Sequence, residues 1–459
     1  MSKIKTILIT ILILGLIVSF SFIGCKKTET TAAAETTAAA ETTAAAGKTA
    51  AAETTTPQKL SGEFEYWCYW DKGHVNDLYI RSIVKDFEAE TGITVKYSNP
   101  GRDVLNKIRP AVLAGNPPDL FDGHGIEMWP ALIKDGLLMD TEDLFKGPTY
   151  DNSGTFEDQL FEGIDSTWAK DGIRYYVPYS AHTSVIWYNK AMFKEKGFNV
   201  PANWTELIAI CDQLKAEGIA PFTEDNVDFY NAYYYYWFSN RISGPGVFYN
   251  AALDPTGVAW DNPELLEAAK WVQKLTKDYF IKGWDGNVWP AGQVDYVQGK
   301  AAMLLCGSWV ANETVDKVGA DFEFGAMPFP LVEGGKGNIK DVEFTTLGFG
   351  IPKDAKNAAL AKEFIRFMMQ KKYQLKWYDT YYYPAIKGTV DQAPAEIKDV
   401  ANLMSSAETA HELYDKLQAE AEWWTKVFLP LDDQLMYGKI TPEDFIAGVK
   451  AGTIEFYKK

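Results

Sequence analysis

From position 63 the chain alternates between strand-like and helix-like hydrophobic periods, and this restricts its fold more than any other feature. Residues 63 to 70 are aromatic-rich and read as a strand; after Lys72-Gly73, the residues Ile80, Ile83, Val84 and Phe87 share one helix face. Gly92 stops that helix, and Ile93-Thr94-Val95-Lys96-Tyr97 is a second strand. Residues 104 to 113 read as helix with a kink or restart at Pro110. Gly115-Asn116-Pro117-Pro118 is then a turn, Asp119-Leu120-Phe121 a short strand, and Asp122-Gly123-His124-Gly125 a glycine-flanked loop. Repeated strand and helix steps predict an α/β fold with a mostly parallel sheet covered by helices. Ligands in such sheets sit beyond the carboxyl ends of the strands.

Further on, Asn203 is placed to cap a helix running through Leu214, and a strand leads into Gly307-Ser308-Trp309. Residues 358 to 369 form an amphipathic helix, and 419 to 435 and 441 to 450 read as largely helical. The 400 residues from 60 to 459 exceed what a single core usually accommodates, so two lobes are expected.

Upstream the pattern differs. Lys3 and Lys5 precede an apolar stretch from 7 to 23, and Phe22-Ile23-Gly24-Cys25 closes it. This resembles the lipobox of bacterial lipoproteins, although Phe22 stands where that pattern prefers Leu. It predicts a signal peptide over residues 1–24, removed to leave a lipid on Cys25; an uncleaved membrane anchor is the alternative. Residues 25–59, with their repeated Glu-Thr-Thr-Ala-Ala-Ala, contain nothing large to bury and read as a tether. As a flexible coil, its low-complexity part would reach on the order of 30 Å. The expected location is the cell envelope, lipid-anchored and extracytoplasmic, on the outer face of the cytoplasmic membrane or in a periplasm.

The formal charge of -17 comes without a basic cluster, which makes nucleic acid and anionic lipid poor partners. Beyond Cys25 stand Cys68, Cys211 and Cys306, with no CxxC and hence neither a disulfide framework nor a zinc site. They read as small buried hydrophobes, with one cross-linked pair as the alternative. No cofactor is indicated. The chain is rich in aromatics, with 15 Trp, 25 Tyr and 25 Phe, and several lie beside Gly, Pro, Asn or Asp in expected loops, where binding sites concentrate.

Five stretches, taken in order, are similar to the family 1 extracellular solute-binding proteins, the sugar receptors of ABC importers. They are Phe87-Glu88-Ala89-Glu90-Thr91-Gly92-Ile93-Thr94-Val95; Ala114-Gly115-Asn116-Pro117-Pro118-Asp119-Leu120-Phe121; Tyr188-Asn189-Lys190 with Pro201-Ala202-Asn203-Trp204-Thr205-Glu206-Leu207; Gly299-Lys300-Ala301-Ala302-Met303 running to Gly307-Ser308-Trp309; and Ala361-Lys362-Glu363-Phe364-Ile365-Arg366-Phe367-Met368. The resemblance implies a type II periplasmic-binding-protein-like fold, two α/β lobes joined by hinge strands and closing on ligand. By the same analogy, residues 60–182 and 346–395 form one lobe and 183–345 and 396–459 the other. It further implies a monomer that binds a carbohydrate and delivers it to ABC permease subunits, touching the membrane only through its lipid.

A sugar offers weakly polar faces to aromatic rings and a rim of hydroxyls to polar side chains. In the resembling maltodextrin receptors an Asp-Lys pair placed like Asp71-Lys72 contacts sugar; capping of the next helix is the alternative role for Asp71. Trp70 lines the cleft or the sheet end. Asp122 and His124 border the cleft by the same resemblance, or serve a local turn and the surface. His182 stands where the resembling receptors carry a carboxylate, or is a core histidine. Trp309 corresponds to the stacking platform of the second lobe. Trp423 and Trp424 fall in the region of a C-terminal platform, and adjacent helix residues cannot both face one cleft; Trp424 is the candidate. Tyr230, Trp289 and Glu343 complete the set. The rival reading is a secreted glycoside hydrolase, with Asp71, Asp122 and Glu343 as candidates for its carboxyl pair, although the chain has no H-E-x-x-H, G-x-S-x-G or P-loop motif. A passive surface adhesin is the third class.

Overall fold

The computed structural model describes residues 60–458 except Glu162 and the side chain of Asp228. The leader, Cys25 and the tether lie outside the described residues. Among the described residues no helix is long and apolar enough to cross a membrane.

The first stretch of chain gives β1 (Glu63–Trp67), α1 (Val75–Thr91), β2 (Thr94–Ser98), α2 (Val104–Leu113) and β3 (Leu120–His124). Two long strands follow end to end, β4 (Tyr176–His182) and β5 (Ser184–Asn189). After them come α3 (Trp204–Ala216), β6 (Ala220–Thr223), α4 (Asp228–Ser243), α5 (Pro263–Tyr279), β7 (Ala301–Gly307), α6 (Val310–Thr314) and β8 (Phe324–Met327). The chain returns through β9 (Asp341–Gly350), α7 (Ala358–Met368) and β10 (Tyr383–Pro384), and ends with β11 (Thr409–Glu412), α8 (Leu429–Met436) and α9 (Pro442–Tyr457).

Local chemistry sets the helix ends. His74 caps α1 by accepting from the Asn76 amide, and Gly92 closes it at φ 77°, a left-handed value that favours glycine. Asn203 caps α3 by accepting from the Glu206 amide, and Thr441 and Asp444 form a reciprocal capping box on α9. Pro110 does not restart α2, which runs unbroken to Leu113 and closes with the Ala114 amide on the Pro110 carbonyl.

The strands form a seven-stranded sheet, ordered β10-β4-β9-β3-β1-β2 with β11 beside β9, and a four-stranded sheet ordered β8-β5-β7-β6. The expectation of a mostly parallel sheet is corrected. β1 is parallel to β2 and β3, but β9 is antiparallel to both β3 and β4, and β10 to β4. The reason is topological: β4 leads straight into the other sheet while β9 comes back from it, so the two lie side by side in opposite directions.

A second correction follows from β9. Asp122 and His124, expected on a loop, lie within β3, because β9 pairs with that segment in the register Leu347 with His124 and Phe349 with Asp122. A partner strand more than 200 residues away carries the strand through Gly123. The first strand, conversely, ends at Trp67 rather than position 70, and Cys68, Tyr69 and Trp70 form a buried turn.

Two separate aromatic cores make the molecule two-lobed. In one, the Phe364 ring of α7 lies 5.9 Å from Phe64, 5.7 Å from Tyr66 and 5.3 Å from Phe87. In the other, Trp204 stacks on Phe329 at 5.4 Å, and Tyr235 of α4 meets Phe445 of α9 at 4.9 Å. Each core buries rings against one sheet and its helices, the largest apolar areas available to the chain. Cys68, Cys211 and Cys306 are buried free thiols.

Candidate functional site

Between the two cores lies a cavity of about 350 Å³, within the range of small-molecule sites. Trp70, His124, Leu347 and Tyr382 line it from the first core's side, Tyr230, Trp309 and Leu413 from the second's, and His182 and Thr345 from the strands that connect them.

Trp309 follows the carboxyl end of β7. A Cβ on Gly307 would meet the Trp309 ring at 2.2 Å, so glycine lets the indole fold back across the strand end. The indole donates to the Tyr230 hydroxyl at 3.0 Å and its ring is tilted 30° from that of Tyr230 at 5.9 Å, leaving Trp309 only half-buried. Trp70 is more deeply packed. It stacks on His74 at 4.7 Å, meets Tyr382 edge-on at 5.6 Å, and donates to Tyr179 at 3.3 Å.

His182 ends β4. Its ring stands perpendicular to Tyr382 at 4.4 Å and lies 6.0 Å from Trp309; Nδ1 is 3.5 Å from the Ser308 hydroxyl, and the buried Nε2 has no partner among the described residues. Burial, reinforced by His124, pushes its pKa down to about 3. Burial and then Arg102 push His124 down to about 4. Both imidazoles are therefore neutral at neutral pH, each with one donor and one acceptor nitrogen, which suits hydroxyl groups.

The other sequence candidates are placed elsewhere. Asp122 is fully buried beneath the cavity and accepts from Tyr66 (3.0 Å), the Tyr69 amide (2.9 Å) and Tyr179 (2.8 Å). Burial raises its pKa to about 6, opposed by those bonds. Asp122 thus fixes the turn that presents Tyr69 and Trp70. Asp71 is exposed outside the cavity wall, 4.0 Å from Arg102; the cap of α1 is His74, not Asp71. Trp289 is half exposed and reaches the cavity only through Glu313, to which it donates at 3.1 Å. Glu343 is buried behind the site, bonded by Ser184 and raised to about 7 by burial. Trp424 lines an adjoining chamber of about 680 Å³, which shares Arg102, Ile126, Glu127 and Gln418 with the cavity, while its neighbour Trp423 is core and donates to Thr453 at 3.1 Å. None of the carboxylates named for the hydrolase reading lines the cavity. Among the described residues no group of three or more His, Cys, Asp or Glu is placed to hold a metal.

Sequence reasoning missed Tyr69, Arg102, Glu127, Glu313 and Tyr382. Two of these carried a signal: Glu313 lies four residues after Trp309, one helical turn on, and Arg102 follows the end of β2, where the strand-end rule puts ligands. Tyr382, inside Tyr381-Tyr382-Tyr383, carried none.

Residues 73–375 match the family model described as bacterial extracellular solute-binding protein. The chain is similar to the diacetylchitobiose binding protein NgcE of Streptomyces coelicolor, 26% identical over 300 residues, covering 63% of each chain. It is also similar to the multiple sugar-binding protein of Streptococcus mutans, 27% identical over 341 residues, covering 72% of this chain and 75% of that one. In fold it resembles apo RafE from Streptococcus pneumoniae, with a TM-score of 0.70 at 21% identity, over 87% of this chain and 99% of that one. With the family model spanning most of the folded region, this chain belongs to the bacterial extracellular solute-binding protein family.

Proposed function

We propose that the protein binds a carbohydrate, an oligosaccharide, between its two lobes outside the cell and delivers it to the permease of an ABC importer. The observation that carries this reading is the cavity between two separate cores, walled by the half-buried Trp309 face, Tyr230 and Tyr382 and by two neutral histidines. Rings suit the C–H faces of a sugar and neutral imidazoles its hydroxyls. The sugars in the names of NgcE and of the Streptococcus mutans protein support the same class. In this reading residues 60–182 with 346–395 and residues 183–345 with 396–459 are the moving bodies of a monomer. Residues 1–24 are a signal peptide, Cys25 carries the lipid, and 25–59 tether the receptor to the membrane.

Incubation with a panel of labelled oligosaccharides tests the proposal. One intact sugar retained per protein is expected, with stabilisation of about 2.7 kcal/mol at a hundredfold excess over Kd. Turnover of the label would overturn it in favour of a hydrolase. Cys25→Ser should release the protein from membranes without altering sugar affinity.

A further inference from the structure

The charge around the cavity is lopsided. Three charged side chains line it: Arg102 and Glu127 from the first lobe and Glu313 from the second. Arg102 is already engaged, donating to the Tyr69 hydroxyl at 3.0 Å, lying over the Tyr69 ring at 5.3 Å, and sitting 4.0 Å from Asp71. Glu127, an exposed residue of the cavity lining, makes no hydrogen bond or ion pair among the described residues, and the charge of Arg102 acts on its carboxylate. Glu313 accepts one bond from Trp289 and, among the described residues, has no ion-pair partner.

The wall behind Glu313 places one further carboxyl against it. Asp225 is fully buried there, bears on Glu313 electrostatically and has no cationic partner among the described residues, while burial favours the neutral form of the adjacent Glu224. Removal from water raises the pKa of the half-buried Glu313, against the hydrogen-bonding groups of Gln293 and Trp289 and the more distant charge of Arg102; the same rise at Glu127, which is exposed, is opposed by Arg102. Once a ligand covers these carboxylates, one left without a cation is costly, and a cation arriving with the ligand offsets that cost. The same cavity holds the unpartnered, buried Nε2 of His182 and the Trp309 face, which attracts a cation as well as a C–H surface.

We infer that the cavity selects a sugar carrying a protonated primary amine, whose charge is neutralised by Glu127 of one lobe and Glu313 of the other. The inference rests on the carbohydrate reading above and narrows it. A free arginine would have favoured an acidic sugar, but Arg102 is one cation set against Glu127, Glu313 and the neighbouring Asp71, which leaves the negative groups in excess. Because the two carboxylates come from different lobes, the ammonium also bridges the lobes.

The test is calorimetry on the full chain at low salt and at a pH that keeps the amine protonated, comparing the β-1,4-linked glucosamine trimer with cellotriose. The two share a backbone and differ in amine against hydroxyl. The glucosamine trimer should bind about tenfold or more tightly, and its advantage should narrow as salt is raised. Glu127→Gln and Glu313→Gln should each shrink the ratio of the two affinities by about threefold or more. Equal or tighter binding of cellotriose, no binding of either trimer, tighter binding of a uronic-acid trimer, or variants that weaken both trimers in proportion would overturn the inference. Spermidine separates the two readings. If it binds as tightly as the amino-sugar trimer, the carbohydrate reading falls; if a neutral sugar binds best, only the amine inference falls.

Discussion

Tryptophans of the same aromatic core have opposite duties, and the difference lies in what each ring touches. Trp309 is half-buried with one edge tied to Tyr230, so Trp309→Ala should weaken sugar binding by roughly 1–3 kcal/mol while leaving the apo protein's melting nearly unchanged. Trp423 is fully buried, stacked at 6.0 Å on Phe428, and Trp423→Ala should cost about 3–5 kcal/mol of stability with little effect on the affinity of the folded fraction. Calorimetric titration and denaturant melts of both variants check the pair; a Trp309→Ala protein that loses stability but keeps affinity would make Trp309 core. The place of Trp309 at a strand end was legible in the sequence because Gly307-Ser308 and the preceding strand are local signals, while its role as a platform came from the family resemblance. Asp122 was not, since the same residue after the same strand could bond a ligand or brace a turn. Only the positions of Tyr66 and Tyr179, far off in sequence, decide between them.

Among elements, β9 shows best what local pattern can and cannot reveal. The alternation of strands and helices was readable, as were Gly92 and Asn203 as helix punctuation. The pairing of β9 with both β3 and β4 was not, because the strand that extends β3 past Gly123 begins more than 200 residues later. At the start of β9 a buried polar cluster has a measurable consequence. Glu343 pairs in register with His411 on β11, and the adjacent Glu412 is equally buried. Asp341, Asp415 and Tyr236 surround His411, Arg241 lies against Asp341, and Lys416 bears on Glu412. Burial lifts Glu343 to about 7 and Glu412 to about 8 from an ordinary value of 4.5. A raised folded-state pKa means stability present at low pH and lost as pH rises through the folded value. His411, raised by its carboxylate neighbours against the pull of burial, has the same sign, whereas His124 and His182, lowered by burial, favour the folded state above 6.5. From pH 6.5 to 8, therefore, the melting temperature should fall, and Glu343→Gln should flatten that fall. A melting temperature that rises over this interval would contradict the assignment.

For the molecule as a whole, length alone predicted two lobes and the ordered motifs predicted their kind, while the mixed direction of the larger sheet stayed hidden because strands that cross between lobes look like any others. Two cores that meet around a cavity, with Trp309 on one side and Trp70 and Tyr382 on the other, give a ligand contacts that are complete only when both sides hold it. In the proposed function the sugar is held between the lobes and draws them together. Small-angle X-ray scattering, with and without an oligosaccharide whose saturation is verified by calorimetry, measures this directly. A smaller radius of gyration is expected in the bound state; an unchanged radius at verified saturation would mean that the sugar does not draw the lobes together.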